Sequence, residues 1–134
     1  IFSRLLGVIA PYTGTVYPQV LDYEPGLVRI RIRERWRLRN PFRSVHAIAL
    51  SNVGEAASGL AIFSRLRADQ RAILLKIEST YLKKARGTLV TEGRCSAVAS
   101  PETWVEAEIR DAEGSVVCQV RALWAVGDLR AKAE

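Results

Sequence analysis

Imidazole and sulphur are scarce in this chain: its 134 residues hold one histidine and two cysteines. Cys95 and Cys118 fall in strand-like segments with neither a CxxC spacing nor partnering histidines, which disfavours a metal site or a disulfide framework. Both read as buried free thiols in a reducing, cytoplasmic setting, and no cofactor is expected. Long apolar runs are also missing. None approaches the roughly 20 residues that cross a bilayer, which excludes a membrane-spanning helix. The stretch from Ile1 to Ala10 lacks the length and cleavage pattern of a signal peptide. No internal repeat and no low-complexity segment is found, so repeat architectures are excluded as well.

What is present is one domain's worth of chain, expected to span residues 1–134, with ordinary globular values of 49% hydrophobic and 25% charged residues. Twenty Lys and Arg against 14 Asp and Glu give a net charge of +6. That balance favours anionic partners: nucleic acid, a membrane surface or a phosphate-bearing small molecule. A solvated, arginine-rich surface accounts for the same excess.

Residues 1–9 read as a short helical lead-in stopped by Gly7 or Pro11. Residues 16–23 are β in pattern, and Glu24-Pro25-Gly26 suits a type II turn, with Pro and Gly at its two central positions. The next strand alternates. Val28, Ile30, Ile32, Trp36 and Leu38 share one register, and Arg29, Arg31, Arg33, Arg35, Arg37 and Arg39 the other. Such a stripe is either an electrostatic track for phosphates or a solvated outer face, and the second is favoured. Glu34 falls in the apolar register, which predicts that the far end of the strand leaves the core or meets a polar group. Further strands are expected over 73–82, 88–99, 104–110 and 115–126, with a basic turn at 83–87, a break at Pro101-Glu102 and a hairpin turn at 111–114. The tail from Gly127 to Glu134 is expected to fray.

Between the two runs of strands lies Asn40-Pro41-Phe42-Arg43-Ser44, followed by a segment, 45–63, that reads as a helix. Its apolar and small residues lack the alternation of a strand, and it is too long for a buried one. Pro41 keeps the preceding chain out of the helix and Ser44 is the expected cap. Ala47, Ala49, Ser51, Gly54, Ala56, Ala57, Ser58, Gly59 and Ala61 put small residues on every face, which suits a helix packed closely on all sides. One carboxylate, Glu55, sits in its middle. The order of elements describes an α+β domain in which a curved antiparallel sheet wraps around one long central helix.

Asn40 lies 6 positions before His46, and Glu55 lies 9 after it. This spacing, with the order of elements from Pro11 to Val126, resembles the hotdog-fold thioesterases, specifically those similar to the phenylacetate-degradation type. In these an Asn or Gln precedes a His-Gly-Gly that opens the central helix, and an Asp or Glu follows within it. The wording of Arg39-Asn40-Pro41-Phe42-Arg43-Ser44-Val45-His46-Ala47 and Asn52-Val53-Gly54-Glu55 is closer still to an uncharacterised, largely bacterial branch of that superfamily. Two departures stand out. Ala47-Ile48 replaces Gly-Gly, and Gly59, with Ser58 beside it, stands where family members can carry a hydroxyl. The resemblance implies a hotdog fold, two-fold dimers that often pair again into tetramers, composite sites between subunits, and hydrolysis of an acyl-CoA. A count along the helix agrees with shared sites, because nine steps of about 100° set Glu55 roughly opposite His46.

For thioester hydrolysis, the amides of Ala47 and Ile48 in the first helical turn are the candidate oxyanion donors. Glu55, desolvated among apolar neighbours, would have a raised pKa and act either as general base toward water or as a nucleophile forming a mixed anhydride. Asn40 would position the water or the thioester, although a residue before Pro41 is also a common turn former. His46 would brace the loop or donate to the carbonyl. Asn52 and Ser58, one turn either side of Glu55, would satisfy its oxygens. The phosphates of coenzyme A need cations near the mouth of the site, and Lys83, Lys84 and Arg86 form the best local cluster; turns of this kind are equally often just solvated.

The leading expectation is therefore an enzyme that hydrolyses a small or medium acyl-CoA between subunits. A hotdog protein that binds acyl-CoA or a fatty acid without catalysis is the alternative, because Gly-Gly is lost. Nucleic-acid binding through the arginine strand is disfavoured, since no aromatic-rich stacking surface or known binding motif accompanies it. A membrane is not an expected partner.

Overall fold

The computed structural model describes residues 2–129. Two short helices, α1 (Phe2–Ile9) and α2 (Pro11–Gly14), lead into a hairpin of β1 (Gln19–Glu24) and β2 (Leu27–Arg33). Its turn is Pro25 and Gly26, the latter with φ of +79°, a conformation that favours glycine. A single 3₁₀ turn, Trp36–Leu38, precedes the long helix α3 (Ala47–Phe63). Four strands follow among the described residues: β3 (Gln70–Tyr81), β4 (Thr88–Arg94), β5 (Glu102–Arg110) and β6 (Val116–Asp128).

The six strands form one antiparallel sheet in the order β1-β2-β4-β5-β6-β3, and α3 meets every one of them. The expected α+β architecture is what is found. Alternation supplies the inner face: Val28, Ile30 and Ile32 of β2, Val105, Ala107 and Ile109 of β5, and Val120 and Ala122 of β6 are all buried. Against them α3 buries Leu50, Val53, Ala57, Ala61 and Ile62. On the packed side the small residues allow close approach, as read from the sequence, but the helix is not enclosed on every face as expected: Ala47, Ser51 and Glu55 are only half-buried and Ile48 is exposed, because the sheet covers one side of it. A Cβ on Gly54 would lie 2.5 Å from a methyl of Val120, and one on Gly93 of β4 would lie 2.6 Å from the carbonyl oxygen of Ala57. Cys95 and Cys118 are free and buried, as expected. Among the described residues, no helix is long and apolar enough to cross a membrane.

Several boundaries differ from the sequence reading. β1 begins at Gln19 rather than near Val16, because Tyr17 has a φ of +52°, which an extended strand does not admit. β2 stops at Arg33, so the stripe of six arginines is a stripe of three, Arg29, Arg31 and Arg33. The cause is Glu34, whose carboxylate accepts the N–H of Gly87 at 2.7 Å and the Nε of Arg39 at 2.8 Å. This is the polar partner anticipated for Glu34, and it turns the chain out of the sheet. Trp36 then projects into solvent, 81% exposed, while Leu38 alone of the 3₁₀ turn is buried. β4 ends at Arg94 instead of continuing to Ala99, and β5 starts one residue after Pro101. Gly127 and Asp128, expected to fray, pair with Arg71 and Gln70, whereas residues 130–134 lie outside the described part.

One difference matters for function. The basic segment 83–87 does not join neighbouring strands, because β3 pairs with β6 and not with β4. It crosses from the sheet edge to the centre and runs past the start of α3, where the Ala85 carbonyl accepts the N–H of Val45 at 2.7 Å.

Candidate active site

The loop 40–44 is closed at its base by a bridge between Arg39 and Val45. Inside it, Asn40 makes an Asx turn: its Oδ1 accepts the N–H of Phe42 at 2.9 Å and that of Ser44 at 3.1 Å, and its Nδ2 donates to Ser44 Oγ at 2.9 Å. These bonds hold Arg43 at a φ of +60°, uncommon for a bulky side chain. One N–H of the Asn40 amide is left over, since Nδ2 carries two.

Ser44 is thus absorbed by the loop and does not cap the helix. The cap is His46, whose extended backbone (φ −62°, ψ 141°) directly precedes α3 and whose Nδ1 accepts the N–H of Ile48 at 3.0 Å. Ser44 lies two residues too early for that bond. A Nδ1 that accepts leaves the neutral ring's proton on Nε2, so the exposed His46 presents a donor. Ile48 cannot serve as a second oxyanion donor while its amide is held this way. Among the described residues the Ala47 N–H has no partner.

Ala47 lines an open cleft of about 320 Å³ whose wall includes Asn40, Ser44, Tyr81, Lys83 and Lys84. The crossing segment 83–87 therefore brings two of the expected cations to the helix start. Their commitments differ. Lys83 is paired with Asp111 at 3.0 Å, Lys84 Nζ lies 5.7 Å from the centre of the Phe42 ring, and Arg86 Nε donates to the Arg43 carbonyl at 3.2 Å.

Glu55 is half-buried, and burial raises its carboxyl above the usual value of 4.5. Asn52 and Ser58 do not satisfy it. Asn52 Nδ2 donates to the Tyr12 carbonyl at 3.1 Å, and Ser58 Oγ donates to the backbone carbonyl of Glu55 at 2.8 Å while accepting from Trp124 Nε1 at 3.3 Å. Both are on the buried side of α3, whereas Glu55 faces outward. Among the described residues its carboxylate has neither a hydrogen bond nor an ion pair.

Ala47, Ser51 and Glu55 are spaced by four and lie along one half-exposed line of α3. Ser51 was not singled out by its sequence, although its position one turn before Glu55 was the available signal. Its Oγ shares hydrogen bonds with Ser79 Oγ at 2.7 Å and Tyr81 OH at 2.5 Å, which tie α3 to β3. Glu55 lies eight positions after Ala47, about 12 Å along the helix from its amide. One chain cannot bring the two to the two sides of a single carbonyl. Because His46 is outside the helix, this axial distance, rather than the angle between His46 and Glu55, carries the case for a shared site.

A family model described as "Domain of unknown function (DUF4442)" matches residues 1–126. Among solved structures, the chain is similar to a structural-genomics protein, APC5556, with a TM-score of 0.89 and 27% identity over 95% of this chain and 88% of that one. A thioesterase enzyme from Staphylococcus aureus has a TM-score of 0.80 and 17% identity, covering 87% of this chain and 98% of its own. That protein has been crystallised with alanine in place of a glutamine and, separately, of a glutamate 15 positions further on. A Streptococcus mutans protein bound to acetyl CoA has a TM-score of 0.75 and 20% identity, covering 83% and 89%. Among curated proteins none matches. The likeness to these structures shows the hotdog fold.

Proposed function

The chain belongs to the family described as "Domain of unknown function (DUF4442)", and from that premise we propose that it is a thioesterase hydrolysing a small or medium acyl-CoA at sites shared by two subunits. The observation that carries this reading is Glu55, a half-buried carboxylate with a raised pKa and no partner among the described residues. A carboxylate partly desolvated in this way without a partner is a functional-site candidate. Two further features support it. Asn40 and Glu55 are 15 positions apart, as are the glutamine and glutamate replaced in the Staphylococcus aureus thioesterase. A hotdog protein of similar fold has been crystallised with acetyl CoA.

In the proposed mechanism the acyl carbonyl enters the cleft at the start of α3 and its oxygen takes the Ala47 N–H, where the helix dipole favours developing negative charge. The spare N–H of Asn40 and the Nε2 proton of His46 are the neighbouring donors. Glu55 of the partner subunit takes a proton from the attacking water, or attacks the carbonyl itself to form a mixed anhydride that water then cleaves, releasing the acid and restoring the carboxylate. The thiolate of coenzyme A leaves and is protonated. Pairing through β3 fits this arrangement, because that strand is a 12-residue edge with Ile73, Leu75, Ile77 and Tyr81 exposed. Long apolar edges of that kind invite a second chain.

A panel of acyl-CoAs tested on wild type and Glu55→Ala checks the activity. Turnover on at least one member is expected, falling by roughly 10²- to 10⁴-fold in the variant. A solution mass of a single chain would remove the shared site.

A second reading, binding of acyl-CoA or a fatty acid without hydrolysis, is favoured by one observation. Ile48 replaces a glycine, its side chain is exposed at the helix start, and its amide is held by His46. Saturable binding with no turnover on any member of the panel would select it.

A further inference from the structure

The phosphate-binding role expected of Lys83, Lys84 and Arg86 fits their surroundings poorly. Lys83 is neutralised by Asp111, with Glu113 a further 4.0 Å contact, and Arg86 is turned to a backbone carbonyl. Uncommitted cations lie on the other side of Asn40. There the 3₁₀ turn and the loop 40–44 surround an open depression of about 870 Å³ lined by Trp36, Arg37, Arg39, Asn40, Pro41 and Arg43. Arg39 is paired with Glu34, but among the described residues the guanidinium groups of Arg37 and Arg43 have neither a hydrogen-bond nor an ion-pair partner. Trp36 lines the same depression, and its indole is the most exposed large apolar side chain described. The depression adjoins the cleft at the helix start, since Asn40 lines both.

We propose that this depression is the subsite for the nucleotide end of coenzyme A: the adenine stacks on Trp36 and the phosphates pair with Arg37 and Arg43. The pantetheine arm then passes Asn40 and brings the thioester to the Ala47 amide. The inference rests on the acyl-CoA reading above and names the residues that would select that carrier. The chemistry is matched on both counts. A purine offers a π-face to an indole, and guanidinium forks bind phosphate oxygens in pairs. The arginine-rich sequence around the loop thereby acquires a ligand where the alternation alone suggested a solvated strand.

The test titrates 3′-phosphoadenosine 5′-diphosphate, which carries no thioester, into the full chain by calorimetry. Saturable binding is expected, weakening about tenfold in Trp36→Ala and at least as much in an Arg37→Ala, Arg43→Ala double variant. Arg67→Ala removes the same charge beyond the opposite end of α3, and there the affinity is expected to stay within about twofold. The KM for acyl-CoA should rise in parallel with the loss of nucleotide binding, at little-changed kcat. All the substituted side chains are exposed, and equal melting temperatures exclude loss of fold. No binding by wild type, unchanged binding in the Trp36 and arginine variants, or weakening by Lys84→Ala in their place overturns the subsite, even where acyl-CoA is hydrolysed. Nucleotide binding with the expected pattern in a protein that hydrolyses no acyl-CoA upholds the subsite and removes the thioesterase reading.

Discussion

One side of helix α3 holds the fold together and the other is left open. On the packed side Leu50, Val53, Ala57, Ala61 and Ile62 are buried, and glycines on the helix and on β4 allow contact at backbone distance. On the open side Ala47, Ser51 and Glu55 keep polar groups away from the core, and the carboxylate is given no local partner. Stability and chemistry are thus assigned to opposite faces of one element. Substitutions should separate the two.

The largest effect belongs to Glu55. Glu55→Gln is expected to cut acyl-CoA hydrolysis by roughly 10²- to 10⁴-fold and yet to melt higher than wild type at pH 7. Burial raises the native pKa above 4.5, so between that value and the raised one the native chain holds a proton that the unfolded chain has lost. Stability therefore falls as pH climbs through that window, and the loss is complete above it. Glutamine removes the slope, and the two melting curves should converge as the pH drops below 4.5. The acid limb of kcat/KM in wild type should likewise lie above 4.5, since Glu55 must be ionised to act. A variant that melts lower than wild type at pH 7 would break the comparison, because the carboxylate would then belong to the packed side.

Gly93→Ala tests the packed side. The new methyl would meet the Ala57 carbonyl, which is backbone and cannot turn away. A loss of about 1–3 kcal/mol is expected, read from the denaturant midpoint at constant slope. Turnover per folded molecule should be preserved. Ser51→Ala has the smallest expected effect, about 1 kcal/mol, from two hydrogen bonds at the seam with β3. A fall in kcat with no change in melting temperature would move Ser51 to the chemical side.

The same contrast explains what could be read in advance. The helix, the first hairpin and the order of elements along the chain follow from composition and periodicity, which report on packing, and the packed side of α3 is legible for that reason. The open side was less so. By residue type Ser44 is the expected helix cap, and only the Asx turn of Asn40, which absorbs it, leaves that place to His46. The alternation through Arg35, Arg37 and Arg39 continues past the point where Glu34 turns the chain, so a period of two was read through a 3₁₀ turn. The partner of β3 is set by the whole sheet, and nothing in residues 70–87 announces that it is β6. Spacing alone pairs Asn52 and Ser58 with Glu55, but a spacing of three fits the buried side as well as the exposed one.

The crossing of segment 83–87 has a consequence for how the molecule is made. β3 is synthesised in mid-chain, but among the described residues the one strand beside it is β6, which ends at Asp128. Until that last strand emerges, Tyr81 and Lys83 have no fixed place from which to wall the cleft, and Ser51 has nothing on β3 to hold. Contacts of such long sequence separation form slowly. A nascent or truncated chain lacking β6 would retain Glu55, Asn40 and His46 and still be unable to assemble the cleft, so competence for a ligand of that cleft arrives only with β6.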